Sequence, residues 1–153
     1  MVNVLKTIPG NVNNECYTPK WIFDELGLEF DLDVASPPPP INTHVPAKHF
    51  FTINEDGLTQ EWTGRVWMNP PFSKPLPWVE RFMSHANGIA LLPTSTGKWQ
   101  LQLWKDCRAG WVMLPPMRFD GYKNALPTRC FLIGYGEECI NALRNIGQVK
   151  GAI

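Results

Sequence analysis

Apolar positions along the chain come in short runs whose spacing switches between a helix period and a strand period. After Thr18-Pro19 the stretch WIFDELG reads as a helix, with Thr18 as N-cap, Pro19 at the first helical position and Gly27 at the C-terminal stop. Residues 29–34 alternate as a short strand. Loop signals dominate from Ala35 to Thr63, apart from a short strand at 49–52, and the next strand, 65–68, ends at Asn69-Pro70-Pro71-Phe72. Behind Pro77, the residues Trp78, Val79, Phe82 and Met83 recur at helical spacing; 88–92 is a buried type of strand and 98–107 a helix. A strand at 111–114, a long loop at 115–127, a strand at 130–135 and a helix at 137–146 complete the pattern. Alternation of this kind predicts an α/β layer fold around a largely parallel sheet. Ligands collect at the carboxyl ends of such strands, so the loops beginning at Ala35, Asn69, Pro93 and Pro115 are expected to share one rim. The four-proline run 37–40 reads as an extended, solvent-facing loop.

Length and composition narrow this picture. The 153 residues suit one small domain, read as 15–153 with residues 1–14 as an N-terminal tail. With 44% hydrophobic and 18% charged residues, the chain has the apolar material for a core. No apolar run approaches the roughly 20 residues of a bilayer span, and the N-terminus has no signal-peptide pattern, so the expected location is a cytoplasm. Cys16, Cys107, Cys130 and Cys139, with His44, His49 and His85, show no metal-ligand spacing; the cysteines are expected to pack as small apolar groups and no metal is implied. Charge is unevenly spread: residues 1–76 carry five Lys and Arg against nine Asp and Glu, residues 77–153 nine against five. A polyanion would meet the second half, and Lys98, Arg108, Arg118, Lys123, Arg129 and Arg144 are the candidates there, unless they are ordinary solvated charges.

The chemistry concentrates in Asn69-Pro70-Pro71-Phe72. An exocyclic amine on an aromatic or amide system has a delocalised lone pair, and must be drawn towards tetrahedral geometry before it attacks a methyl donor. The side-chain oxygen of Asn69 and the carbonyl of Pro70 can each accept one of its protons, while Pro70 and Pro71 stiffen the loop and remove competing N–H donors. Phe72 can stack on the ring that bears the amine. The bland alternative is that Pro-Pro merely ends a strand and Phe72 packs.

In order, Tyr17-Thr18-Pro19, then Phe30-Asp31-Leu32-Asp33 with prolines after it, Asp56-Gly57-Leu58 and Trp62, and Val66-Trp67-Met68-Asn69-Pro70-Pro71-Phe72 resemble the short phage-type, Dam-like DNA N6-adenine methyltransferases. Leu91-Leu92-Pro93-Thr94 and Trp99 extend the likeness over residues 15–135. The resemblance implies a Rossmann-like methyltransferase fold, S-adenosylmethionine as donor and methylation of adenine N6 in DNA, as in phage or prophage modification against restriction. Asn69, Pro70, Pro71 and Phe72 match the catalytic motif. Tyr17 and Thr18 resemble a donor-contacting segment, where the Thr18 hydroxyl would bind the donor carboxylate, a role compatible with capping the helix. Asp31 and Asp33 suit ribose hydroxyls or an ammonium group, and Asp56 suits the donor's adenine amine or simply forms an Asp-Gly turn. The sequence departs from many donor-binding folds after Asp33, where Val34-Ala35-Ser36-Pro37 contains no GxG.

A target adenine in duplex DNA must be flipped out of the stack. Arg118, Lys123 and Arg129 bracket the long loop, whose Phe119, Tyr122 and Asn124 mix stacking and hydrogen-bonding groups; Lys98 beside Trp99 is a similar pairing, although core packing is the alternative for each tryptophan and most of the seven are expected to be buried. No separate recognition domain fits in 153 residues, so sequence reading is expected to come from loops, to be loose or to be shared by a dimer, and both monomer and homodimer stay open. An RNA or protein-glutamine amine presents the same planar NH2, and a non-catalytic DNA-binding module is a second rival. A nuclease would need more than the Asp31 and Asp33 carboxylates, because no E-x-K spacing follows them.

Overall fold

The computed structural model describes residues 16–41, 43–119 and 129–151. Among the described residues four α-helices flank one sheet: α1 (Lys20–Leu26), α2 (Leu76–His85), α3 (Lys98–Lys105) and α4 (Glu137–Leu143). The strands are β1 (Phe30–Asp33), β2 (Ala47–Phe50), β3 (Val66–Met68), β4 (Gly88–Pro93), β5 (Ala109–Met113), β6 (Cys130–Tyr135) and β7 (Lys150–Gly151). They lie in the order β2-β1-β3-β4-β6-β5-β7.

The central strands are apolar throughout because both sheet faces are covered. Along β3 and β4 the side chains alternate: Trp67, Ile89 and Leu91 pack with Ile22, Phe23 and Leu26 of α1 and Leu143 of α4. Val66, Met68, Ala90 and Leu92 pack on the other face with Val79 and Phe82 of α2 and Trp99 and Leu103 of α3. Each fully buried side chain of this size contributes about 1.5–3 kcal/mol of hydrophobic stabilisation. Helix α1 ends as its sequence suggests, since Gly27 takes φ 64° and its N–H donates to the Phe23 carbonyl at 3.0 Å. Its start differs. Pro19 is the N-cap and no side chain caps the helix, because Thr18 is engaged elsewhere.

The expectation of a mostly parallel sheet needs correction. β1 pairs in parallel with β2 and β3, and β3 with β4, but β6 runs antiparallel to β4 and β5, and β7 antiparallel to β5. The sheet is mixed. A parallel return from β5 to β6 would need a crossover element, and the sequence between them carries no helical period, so β6 enters at the rim where β5 leaves. The shared rim itself is as expected. Register places Asp33 beside Trp67, Met68 beside Ala90, Pro93 opposite Cys130 and Met113 opposite Phe131. The segments after β1, β3, β4 and β5, and the one before β6, therefore converge.

The opposite rim is closed by polar contacts. The Tyr135 hydroxyl donates to Asp106 at 2.8 Å, and Arg108 donates to the same carboxylate at 2.7 Å while lying over the Tyr135 ring. Three of the cysteines, Cys16, Cys130 and Cys139, are buried, and burial pushes the Cys130 thiol up to about 12.

Candidate active site

At the carboxyl rim a cavity of about 460 Å³ opens between the 16–18 segment, the loop after β1, the 52–57 turn and Asn69. Its polar wall includes Tyr17, Thr18, Asp33, Asp56 and Asn69, and its apolar wall includes Val34, Ile41, Ile53, Trp67 and Trp78. Five residues singled out from distant points of the chain thus meet on one surface, joined by Pro71.

Asp33 ends β1 and is 4% exposed. Its carboxylate accepts the Ala35 N–H at 3.2 Å, and desolvation raises its pKa from the usual 3.8 to about 7. No ion pair with it is found among the described residues. A buried carboxylate on a cavity wall with that little support suits a ligand that brings hydroxyl or ammonium donors.

Asn69 follows β3 directly. Its Nδ2 donates to the Cys16 carbonyl at 2.7 Å and to the Thr18 hydroxyl oxygen at 3.1 Å. A carbonyl only accepts, so the end of the amide facing Cys16 must be the NH2. The other end, Oδ1, is buried and has no hydrogen-bond partner among the described residues. An orphaned buried acceptor costs about 1–3 kcal/mol, which a ligand N–H would recover. Pro70 is buried, Phe72 is half-buried, and the Phe72 ring meets Phe119 edge-on at 6.1 Å.

The Asp56-Gly57 turn is packed tightly. Asp56 adopts φ 59°, unusual for a residue with a side chain, and its Oδ1 accepts the Leu58 N–H at 3.2 Å. A Cβ on Gly57 would lie 2.0 Å from the Val34 carbonyl oxygen. Arg81 of α2 holds the turn from behind, donating to the Leu58 carbonyl at 2.8 Å and to Gln60, while the Trp62 indole donates to the Gly57 carbonyl at 2.8 Å. Asp56 therefore forms the turn and also faces the cavity.

Asp31 lies outside the cavity lining. Its carboxylate accepts the Arg65 N–H at 2.8 Å and sits 3.5 Å from Lys48, and the first of these contacts holds its pKa below the usual value. Two other expectations change as well. Phe119, 1% exposed, and Trp99, 8% exposed, belong to the core rather than to a base-stacking surface. Pro37 and Pro38 are half-buried against the cavity, while Pro39 and Pro40 are exposed as expected. Lys98 and Arg118 are exposed at the rim. Arg129 stands there too, but its Nε and one terminal nitrogen donate to the Leu114 carbonyl at 3.0 and 2.6 Å, tying β5 to the start of β6. Tyr122, Lys123 and Asn124 lie outside the described residues.

Sequence reasoning missed Trp67, Trp78, Ile41 and Ile53 as wall residues. Trp67, two positions before Asn69, was visible as part of a motif but not as a cavity residue; its indole N–H is buried without a partner among the described residues. Ile41 and Ile53, isolated apolar residues in loops, carried no periodic signal. Among the described residues no group of three His, Cys, Asp or Glu side chains is placed to hold a metal ion, and no helix is long and apolar enough to cross a membrane.

The carboxyl rim of this α/β sheet thus carries a cavity with a buried carboxylate beside an Asn-Pro-Pro-Phe turn whose buried amide oxygen has no partner among the described residues, an arrangement that can accept hydrogen bonds from a ligand. The profile of the DNA N-6-adenine-methyltransferase (Dam) family matches residues 6–103, and the chain belongs to that family. It is similar to a DNA N-6-adenine-methyltransferase of Haemophilus phage HP1 (strain HP1c1), with 38% identity over 74 residues, 45% of this chain. The match spans 40% of that relative's length. No solved structure matches the chain.

Proposed function

We propose that the chain is a methyltransferase of Rossmann-like fold that uses S-adenosylmethionine to methylate N6 of a flipped-out adenine in DNA, a modification that shields phage or prophage DNA from restriction. The observation that carries this reading is the Asn69 amide, whose NH2 is saturated by Cys16 and Thr18 and whose buried Oδ1 is left without a partner among the described residues. Family membership and the phage relative support the DNA substrate.

The cavity residues fit the donor chemically. When bound, S-adenosylmethionine supplies an electrophilic methyl group on a sulfonium. Asp33 accepts from hydroxyl or ammonium groups, Thr18 has a hydroxyl proton to donate to a carboxylate, and Asp56 accepts from an adenine amine beside the apolar surface of Ile53 and Trp78. On the acceptor side, Asn69 Oδ1 and the Pro70 carbonyl accept one hydrogen bond from each N6–H and draw the nitrogen out of conjugation with its ring. No general base is needed, because the nitrogen becomes acidic once it gains the methyl group and releases its extra proton to water. Phe72, braced by Phe119, offers a ring for the base to stack on. Extrusion of the base costs a few kcal/mol, which stacking and backbone contacts must offset. Lys98, Arg118 and the second terminal nitrogen of Arg129 supply phosphate contacts at the rim, with Tyr122 and Lys123 as further contributors from outside the described residues.

The test is to incubate DNA with the protein and labelled S-adenosylmethionine, digest to nucleosides and analyse by mass spectrometry. Labelled N6-methyldeoxyadenosine is expected. No methylated deoxynucleoside, or label only in RNA or protein offered in parallel, would overturn the reading.

A further inference from the structure

We propose that Thr18, together with the Cys16 carbonyl, is a positioning residue that decides which end of the Asn69 amide faces the acceptor amine; the inference rests on the methyltransferase reading above. Rotation of an asparagine amide about its last torsion is soft and nearly two-fold, so its orientation is set by its partners. In the reversed amide, Oδ1 would face the Cys16 carbonyl oxygen across the 2.7 Å now spanned by Nδ2. Two acceptors in contact repel, and the displaced NH2 would point donors at a substrate amine that itself needs acceptors. The Cys16 carbonyl therefore fixes the sign of the contact. Thr18 follows it: its hydroxyl oxygen accepts from Asn69 at 3.1 Å, so its own proton is turned away from Asn69.

Thr18 is 5% exposed and lines the cavity, so that proton serves a ligand acceptor. A donor carboxylate that takes it makes the Thr18 oxygen a better acceptor for Asn69, since hydrogen bonds in series strengthen one another. Donor binding and orientation of the catalytic amide are thereby linked through one hydroxyl. The same geometry explains an asparagine rather than an aspartate at 69, because a carboxylate oxygen there would lie against the Cys16 carbonyl.

Thr18→Val removes the hydroxyl at nearly constant shape, Thr18→Ser restores it, and Asn69→Asp replaces the NH2 by an acceptor. In 1H–15N spectra, the Asn69 side-chain amide pair, assigned by its loss in Asn69→Asp, is expected to shift and exchange faster with water in Thr18→Val and to return towards wild type in Thr18→Ser. At saturating S-adenosylmethionine, kcat for DNA methylation should fall about tenfold in Thr18→Val, the worth of one hydrogen bond, and by about a hundredfold in Asn69→Asp. Thr18→Ser should recover most of the loss. Unmoved Asn69 amide signals in Thr18→Val, a Thr18→Val defect confined to donor affinity with kcat intact, or full activity in Asn69→Asp would each overturn the proposal. A wild-type protein that binds donor and transfers no methyl group would overturn the methyltransferase reading instead, leaving the amide signals to decide the orientation alone.

Discussion

Asp33 is where stability and function are expected to pull against each other. It is 4% exposed, keeps one hydrogen bond from the Ala35 N–H, and has a pKa raised from 3.8 to about 7 by burial. A raised acid pKa means that the folded protein holds the proton more tightly than the unfolded chain. The stability this confers is complete below the ordinary value near 4 and is lost as pH rises through about 7. Between pH 5 and pH 8 the loss spans roughly two pH units at about 1.4 kcal/mol each, or ~2–3 kcal/mol. Asp33→Asn retains an acceptor for Ala35 and has nothing to ionise. Its unfolding free energy relative to wild type, from urea titrations at the two pH values, should therefore rise by ~2–3 kcal/mol from pH 5 to pH 8, with the contributions of other groups cancelling. The variant should at the same time lose affinity for S-adenosylmethionine. In the wild type that affinity should tighten as pH rises through about 7, because a ligand donor must displace the proton. A stability difference that does not change with pH would refute the reasoning.

Gly57→Ala places a methyl group 2.0 Å from the Val34 carbonyl oxygen; the forced shift should cost about 1–3 kcal/mol in urea unfolding and weaken donor binding through the displaced wall. Asp106→Ala, at the far rim, removes the partner of Tyr135 and Arg108 and should lower unfolding stability by about 2 kcal/mol while donor affinity stays the same. In the wild type the Arg108 hydrogen bond holds Asp106 down at about 2, so its contribution is present above about pH 4 and fades as pH falls towards 2. Arg118→Ala combined with Lys98→Ala should weaken DNA binding across sequences and reduce its salt slope by about one for each phosphate left without its cation, measured by fluorescence anisotropy over a salt series.

The strands and helices were legible because their apolar residues recur at clear periods; β4 and β6 differ from the reading by a residue at most. The direction of β6 was harder to see, since an apolar run says that both faces are covered and nothing about orientation. The signal lay in the connection, a long segment without helical period after Met113. β7 is two residues long, too short for a pattern to register. At the site, Asn69 was visible because a chemical requirement selects its neighbours, and Asp33 because it ends a strand at the expected rim. Asp31 reads in sequence as one of an acidic pair with Asp33, the better candidate of the two, and in the fold the Arg65 N–H and Lys48 claim the Asp31 carboxylate. Thr18 reads equally well as a cap or a ligand group in sequence. Only the fold reveals that it bonds Asn69, 51 residues away.

The central claim is that Asn69 Oδ1 receives the target amine. Its most direct test is single-turnover methyl transfer from S-adenosylmethionine to DNA by Asn69→Ala, with donor affinity measured on the same preparation. The account predicts a rate lower by about 10²–10³-fold, as for loss of one aligned polar group at a reacting centre, with donor affinity within a few-fold of wild type. A transfer rate close to wild type would contradict it.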